Sequence, residues 1–244
     1  MDLKAIAHDT THGATYLTKA LVDLAAKSDN IPSLLEQARS IQPMMASIHA
    51  FLRDLEEAWV AGEDVRAFCG RWWEEFAADH KRVVYEGAEL VAGRTILTHS
   101  YSTAVAEALE LGGPRRVICT ESRPKNEGIE LAKRLGAAGI DVELVIDAAA
   151  PYLTGEADLV LFGSDGVRES GLVHKVGSFG ITVAAKQACT PVVALSHPKK
   201  RWPAGFSLPP EPPRDPDEIC RCDLRRRNFY FDITPLHLID LVLE

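Results

Sequence analysis

Two glycine fingerprints are missing from this sequence. No G-x-G-x-x-G follows an apolar run, and G-x-x-x-x-G-K-[ST] does not occur. A nicotinamide-type dinucleotide cofactor and a P-loop nucleotide are therefore disfavoured, and no cofactor is expected. Cysteine is scarce, with five residues and no paired framework. Reduced thiols in a cytoplasmic setting are the expectation. The C-x-C at Cys220 and Cys222 has no further pair of ligands at suitable spacing, so no metal is expected there. Positive charge is in deficit, with 27 Lys+Arg against 35 Asp+Glu and a formal net charge of -8. That balance argues against nucleic acid and anionic membranes as partners. Two basic runs, Lys199-Lys200-Arg201 and Arg225-Arg226-Arg227, read as solvated surface. No apolar run approaches the ~20 residues that span a bilayer. Met1-Asp2 does not open a basic-then-apolar leader.

What the chain does have is apolar material for a core: 46% of 244 residues. Residues 1–92 read as a helical N-terminal domain. Ala14, Leu17, Leu21 and Leu24 recur at intervals of three and four, and Pro32 suits a first helical turn. Met44, Ile48, Phe51, Leu52 and Leu55 carry another apolar stripe. A long helix is expected from about Asp64 to Val91, with Phe68, Trp72, Phe76 and Val83 as candidate core. Trp72 and Trp73 cannot share a face, so one belongs in the core and the other at a contact.

After Gly93 the rhythm changes to short β-rich runs alternating with helical ones. "VICT", "VELVI", "LVLFG" and "VVAL" are continuously apolar, which predicts strands buried on both faces. Residues 93–244 are thus expected to form a Rossmann-like α/β domain, a mostly parallel open sheet with helices on both faces. A Pro-rich loop at about 199–222 interrupts it, holding Pro203, Pro209, Pro210, Pro212, Pro213 and Pro216. Such loops serve as lids, contact arms or disordered segments. The closing "NFYFDITPLHLIDLVLE" reads as a short strand, a proline and a helix packing back on the sheet.

Open parallel sheets bind ligands outside the carboxyl ends of their strands. Thr98, His99, Ser100, Tyr101 and Ser102 stand after the first strand, and Thr120, Glu121, Ser122 and Arg123 after the second. Asp147 follows the third, Ser164 and Asp165 the fourth, and Arg168, His174 and Lys175 the turns beyond. Each has a bland alternative. His99 can be a satisfied core histidine, Ser102 an N-cap, and Glu121 with Arg123 a local ion pair. Asp165 can simply start a turn, and Lys175 can be solvated. Their convergence on one edge favours a site. A helix N-terminus near Ser100 to Ser102 is the candidate phosphate cradle, with Arg123 and Lys175 as its cations.

"ILTHSYS", "VICTESRPKNEGIELAKRLGAAGIDVELVID", "DLVLFGSDGV", "HKVGSFGITVAAK" and "FDITP" together resemble the family of translation initiation factor 2B alpha, beta and delta subunits. That family also holds methylthioribose-1-phosphate isomerase and ribose-1,5-bisphosphate isomerase. The resemblance covers about residues 93–198 and 229–239 and is weak over the N-terminal helices. It implies a helical domain followed by a Rossmann-like one, a homodimer or assembly of dimers, and a phosphorylated sugar as ligand. The isomerases use a cysteine just after T-H and the aspartate of G-A-D. Asp165 matches the aspartate, whereas Ser100 stands at the cysteine position. A thiol ionises near 8.5 and a serine hydroxyl several units higher, so Ser100 is the poorer proton shuttle. Lys175 and Arg123 match family residues, and His174 replaces the asparagine usual before the lysine. Two N-terminal arginines of the isomerases correspond to His12 and Gln42.

The resemblance leaves two functions open. One is a sugar-phosphate binding isomerase, with Asp165 and Ser100 at the reacting atoms and His12, His99, Ser102, Glu121, Arg123, His174 and Lys175 holding substrate. The other is a non-catalytic regulatory or assembly subunit that senses a phosphorylated metabolite, with the Pro-rich arm as a partner-binding element.

Overall fold

The computed structural model describes residues 1–205 and 211–244. Pro209 and Pro210 of the Pro-rich loop lie outside the described residues. Helices α1 (Leu3–His8), α2 (Ala14–Ala25), α3 (Ile31–Ala38), α4 (Ala46–Val60) and α5 (Val65–Val91) come first. The expected apolar stripes are what they bury. Ala14, Leu17 and Leu21 of α2 and Ile48, Phe51, Leu52 and Leu55 of α4 join one core with Trp72 and Phe76 of α5. Trp73 packs partly buried against the same core, stacked on Phe76 with centroids 5.2 Å apart. The Asp64 carboxylate starts α5 by accepting the Ala67 N–H at 2.7 Å. The second half of α5 belongs to a different core, in which Val83, Val84 and Val91 meet the sheet. One helix therefore ties both cores together.

The remaining elements are β1 (Thr95–Thr98), α6 (Thr103–Gly112), β2 (Arg116–Thr120), α7 (Glu127–Ala137), β3 (Val142–Val145), α8 (Ala150–Leu153), β4 (Leu159–Phe162), β5 (Gly166–Arg168), β6 (Gly171–Lys175), α9 (Ser178–Gln187), β7 (Val192–Leu195), β8 (Phe231–Thr234) and β9 (Leu241–Leu243). Among the described residues one sheet runs β3-β2-β1-β4-β7-β9, with every pairing parallel. Helices α5, α6 and α7 cover one face, and α8 and α9 the other. Strands β1, β2, β4 and β7 are buried as their continuous apolar runs require. The run "VELV" differs. It forms the edge strand β3 and keeps Glu143 and Leu144 exposed, because no further strand covers it.

Strand order reverses between β1 and β4, which makes their carboxyl ends the topological switch point. A second, antiparallel sheet β5-β6-β8 sits beyond that edge. Here the structure departs from the sequence reading, which treated residues 166–175 as turns. The closing helix is also overturned. Leu236–Leu238 form a short 3-10 turn, and Leu241–Leu243 add a parallel strand beside β7. That edge position supplies backbone partners that a terminal helix would not need. Among the described residues no helix is long and apolar enough to cross a membrane.

Candidate active site

A narrow cleft opens at the switch point. The loop before α2 (Asp9 to Gly13), Gln42, Met45, Ser100, Tyr101, Glu127, Asp165, Lys175, Arg214, Tyr230 and Phe231 line it. Ser100 follows β1 and Asp165 follows β4, so the two strands that flank the reversal deliver them to one place.

Ser100 adopts a left-handed backbone, φ 70°. Such a turn is unfavourable for a residue with a side chain, and neighbouring bonds hold it in place. Its N–H donates to Ser122 Oγ at 2.8 Å, and its Oγ donates to Glu127 Oε1 at 2.9 Å. Lys175 Nζ lies 2.7 Å from the same carboxylate oxygen. Glu127 Oε2 is buried without a partner among the described residues. Ser100, Glu127 and Lys175 thus form one hydrogen-bonded unit at the cleft floor. Glu127 stands in the first turn of α7, where the free N–H groups of a helix favour a carboxylate.

Asp165 is anchored by its main chain: its N–H donates to Val173 O, and its carbonyl accepts the Ala46 N–H. Its carboxyl opens into the cleft but is otherwise enclosed by protein. Burial pushes its pKa up to about 6, with Lys200 and Lys175 opposing that rise and Glu127 adding to it. Lys200 is buried behind it, with Nζ 2.6 Å from Ser164 O. Burial lowers the Lys200 pKa, and Asp165 partly restores it.

The basic run at 199–201 is therefore solvated surface only at Arg201. Lys199 reaches Asp54 at 2.9 Å and lies over the Trp72 ring, and Arg201 pairs with Glu244. Lys200 is a buried cation behind the cleft that its charge run does not reveal.

Several expected substrate ligands are committed elsewhere. His99 is buried, and its Nε2–H donates to Val176 O at 2.8 Å. Burial lowers its pKa, so the ring is neutral and Nδ1 accepts from Thr120 Oγ at 2.6 Å. The bonds then have one direction: Ser100 N–H to Ser122 Oγ, Ser122 O–H to Thr120 Oγ, Thr120 O–H to His99. His99 braces the Ser100 turn instead of facing the cleft. His174 is buried as well, and its pKa falls well below the ordinary value for the same reason. Ser178 Oγ donates to Lys175 O, so His174 Nδ1–H donates to Ser178 Oγ at 2.8 Å. Ser102 makes no side-chain cap to α6 and packs on Gly163, where a Cβ would collide with it. Glu121 lies outside the cleft lining. Arg123 points away from it, and its guanidinium donates to the carbonyls of Glu218 at 2.6 Å and Ile219 at 3.2 Å.

His12 does line the cleft, stacked on Tyr16 and bonded through Nδ1 to Asp9 Oδ2 at 2.7 Å. Burial would raise the Asp9 pKa, but hydrogen bonds from His12 and Thr11 outweigh it and hold that carboxyl low. Gln42 spends its amide nitrogen on the carbonyls of Ile6 and Asp9. The rim where two arginines were sought is thus a histidine–aspartate pair and a structural amide. Among the lining residues without an expected role, Glu127 and Arg214 carry charge. Glu127 sits in the "ESRPKNEG" stretch and Arg214 in the Pro-rich loop, and neither position marks itself as a ligand by residue type or spacing. Cys220 and Cys222 have their sulfurs 2.9 Å apart, and among the described residues no three His, Cys, Asp or Glu side chains are placed to share a metal ion.

Comparison with known proteins fits this architecture. The model of the initiation factor 2 subunit family matches residues 15–243. Ribose 1,5-bisphosphate isomerase from Archaeoglobus fulgidus is 36% identical over 163 residues, covering 62% of this chain and 52% of that protein. This chain spans between about half and two thirds of the length of the isomerases it matches. An eIF-2B subunit 2-like protein from Pyrococcus furiosus is 30% identical over 256 aligned positions, covering 97% of this chain and 91% of its own. The structure of Pyrococcus horikoshii translation initiation factor eIF-2B superposes with a TM-score of 0.85 at 26% identity, over 99% of this chain and 92% of that one. A family model matching nearly the whole sequence, with the fold to go with it, means that this chain belongs to the initiation factor 2 subunit family.

Proposed function

We propose that the cleft binds a phosphorylated sugar and interconverts aldose and ketose, with Asp165 as the acid/base group and Ser100 as its partner. The observation that carries this reading is Asp165: a carboxyl with its pKa near 6, in a cleft that it shares with the Ser100–Glu127–Lys175 unit. Aldose–ketose conversion moves hydrogen between adjacent carbons and their oxygens, and a group titrating near the working pH both takes and returns a proton efficiently. An aspartate shifted from 3.8 to about 6 is ionised at neutral pH and is a much stronger base than an exposed one. Ser100 Oγ, oriented by Glu127, would carry the proton at a sugar oxygen. The similarity to proteins named ribose 1,5-bisphosphate isomerase supports this substrate class.

The test is to incubate the protein with ribose 1,5-bisphosphate or methylthioribose 1-phosphate and follow ketose formation by proton NMR. Turnover that disappears in Asp165→Asn is expected. No turnover and no binding with either sugar would remove the reading. The hydroxyl of Ser100, where the isomerases it resembles use a thiol, favours a second reading: a non-catalytic sensor of such a sugar phosphate. Binding without turnover, unchanged in Ser100→Cys, would select it. We further propose that the chain works as a homodimer in a reducing, cytoplasmic compartment, where Cys69, Cys119, Cys189, Cys220 and Cys222 stay as free thiols.

A further inference from the structure

We propose that Arg214 is the residue that holds the anionic group of the ligand, and that the segment from Glu211 to Cys222 is a built wall of the cleft that carries it there. The inference rests on the sugar-phosphate reading and names the recognition element within it.

The wall is fastened at several points. Arg123 bonds the carbonyls of Glu218 and Ile219. The Glu218 carboxylate accepts from Tyr230 O–H at 2.7 Å and from Asn228 at 2.8 Å, and it pairs with Lys125 at 2.9 Å. The Glu211 carboxylate accepts the N–H groups of Tyr230 at 2.8 Å and Phe231 at 3.2 Å, which ties the segment to the start of β8. Arg123 was the expected cradle cation, and its charge instead anchors the segment that brings a different one.

Arg214 is pre-set in that wall. Its Nε donates to Glu211 Oε1 at 2.8 Å, and its guanidinium lies 4.3 Å from the Tyr230 ring centroid. These two contacts fix the plane of the group. Among the described residues the two Nη nitrogens have no partner, and Arg214 lines the cleft. A guanidinium held by Nε and by its face presents its Nη edge for a two-point contact with phosphate. The other basic lining groups are committed: Lys175 to Glu127, His12 to Asp9. Lys175 also lies over Tyr230, 5.2 Å from the centroid, so one ring places both cations of the cleft.

Titration calorimetry with ribose 1,5-bisphosphate and methylthioribose 1-phosphate tests this on the full chain. Arg214→Gln should weaken binding by about 10- to 100-fold, the worth of a charged hydrogen bond. Arg214→Lys should restore part of that loss, and Arg221→Gln, an exposed arginine on the same segment, should change nothing. Thermolysin digestion of each variant reports whether the segment stays fastened. Parent-like binding by Arg214→Gln would overturn the assignment and leave the sugar-phosphate reading standing. So would a loss accompanied by digestion of the segment in both Arg214→Gln and Arg214→Lys, which would make the residue structural. Absence of binding by the parent protein would instead remove the sugar-phosphate reading and this inference with it.

Discussion

Asp165 carries a cost in stability. Its pKa is raised from 3.8 to about 6 by burial, so the folded chain holds that proton more tightly than the unfolded chain does. Below about pH 3 both states are protonated and the position is neutral to folding. As pH rises from about 3 to 7 the unfolded chain ionises first, and stability falls. Above about pH 7 the penalty is constant at ~3 kcal/mol, from 1.36 kcal/mol per unit. Asp165→Asn should therefore raise the melting temperature at pH 7–8 and leave it nearly unchanged at pH 3. The gain is reduced because Lys200 loses its neighbouring charge. The same variant should lose turnover, so that stability and activity move in opposite directions. A melting temperature that falls at pH 8 would show that the carboxylate is a net stabiliser. Asp165, Ser100 and Lys175 were legible in the sequence because each lies at or just beyond the end of a short apolar run. Lys200 was hidden in a charge run, and its burial depends on the turn after β7 folding under Ser164. Arg214 was hidden among prolines, since only the packing of Tyr230 makes it part of the cleft.

At the scale of elements, the β2–α7 connection decides where Glu127 stands. A Cβ on Gly128 would overlap Thr120 O and come within 2.5 Å of Ser122 Oγ. The first turn of α7 therefore rests directly on the backbone end of β2. Gly128→Ala should cost ~1–3 kcal/mol by overpacking. The shift of α7 should also withdraw Glu127 from Ser100 and weaken sugar-phosphate binding. A variant with parent-like thermal stability and binding would show that the contact is slack. The parallel strands were legible because strands buried on both faces leave unbroken apolar runs. The β5-β6-β8 sheet was not, because β5 and β6 are three and five residues long and glycine begins both. At the C-terminus Leu236, Ile239 and Leu243 keep helical spacing. The open edge of β7 wins, since pairing there satisfies backbone groups along both strands.

At the scale of the whole molecule, the two faces of the main sheet are unequally covered. Helices α5, α6 and α7 bury one face under a broad layer, whereas the other has α9 and the four-residue α8. Apolar side chains remain outside this thin layer: Tyr152 on α8 is 86% exposed, and Phe179 and Val183 on the adjoining α9 are exposed as well. Isolated exposed apolar residues need no explanation, but a group of them on two adjoining helices does. A second copy of the chain is the simplest cover, because a two-fold axis places the same patch on both partners. The parent protein should then elute with twice the chain mass in size-exclusion chromatography with light scattering at micromolar concentration. Tyr152→Glu combined with Val183→Glu should give a monomer with unchanged helix content, since both side chains are solvent-facing in the single chain. Neither residue lines the cleft, so the monomer also separates assembly from ligand binding. Retained sugar-phosphate affinity would make each chain a complete site, whereas a loss of affinity would mean that pairing sets the cleft. A parent protein that runs as a monomer at that concentration would count against this face as a self-association surface.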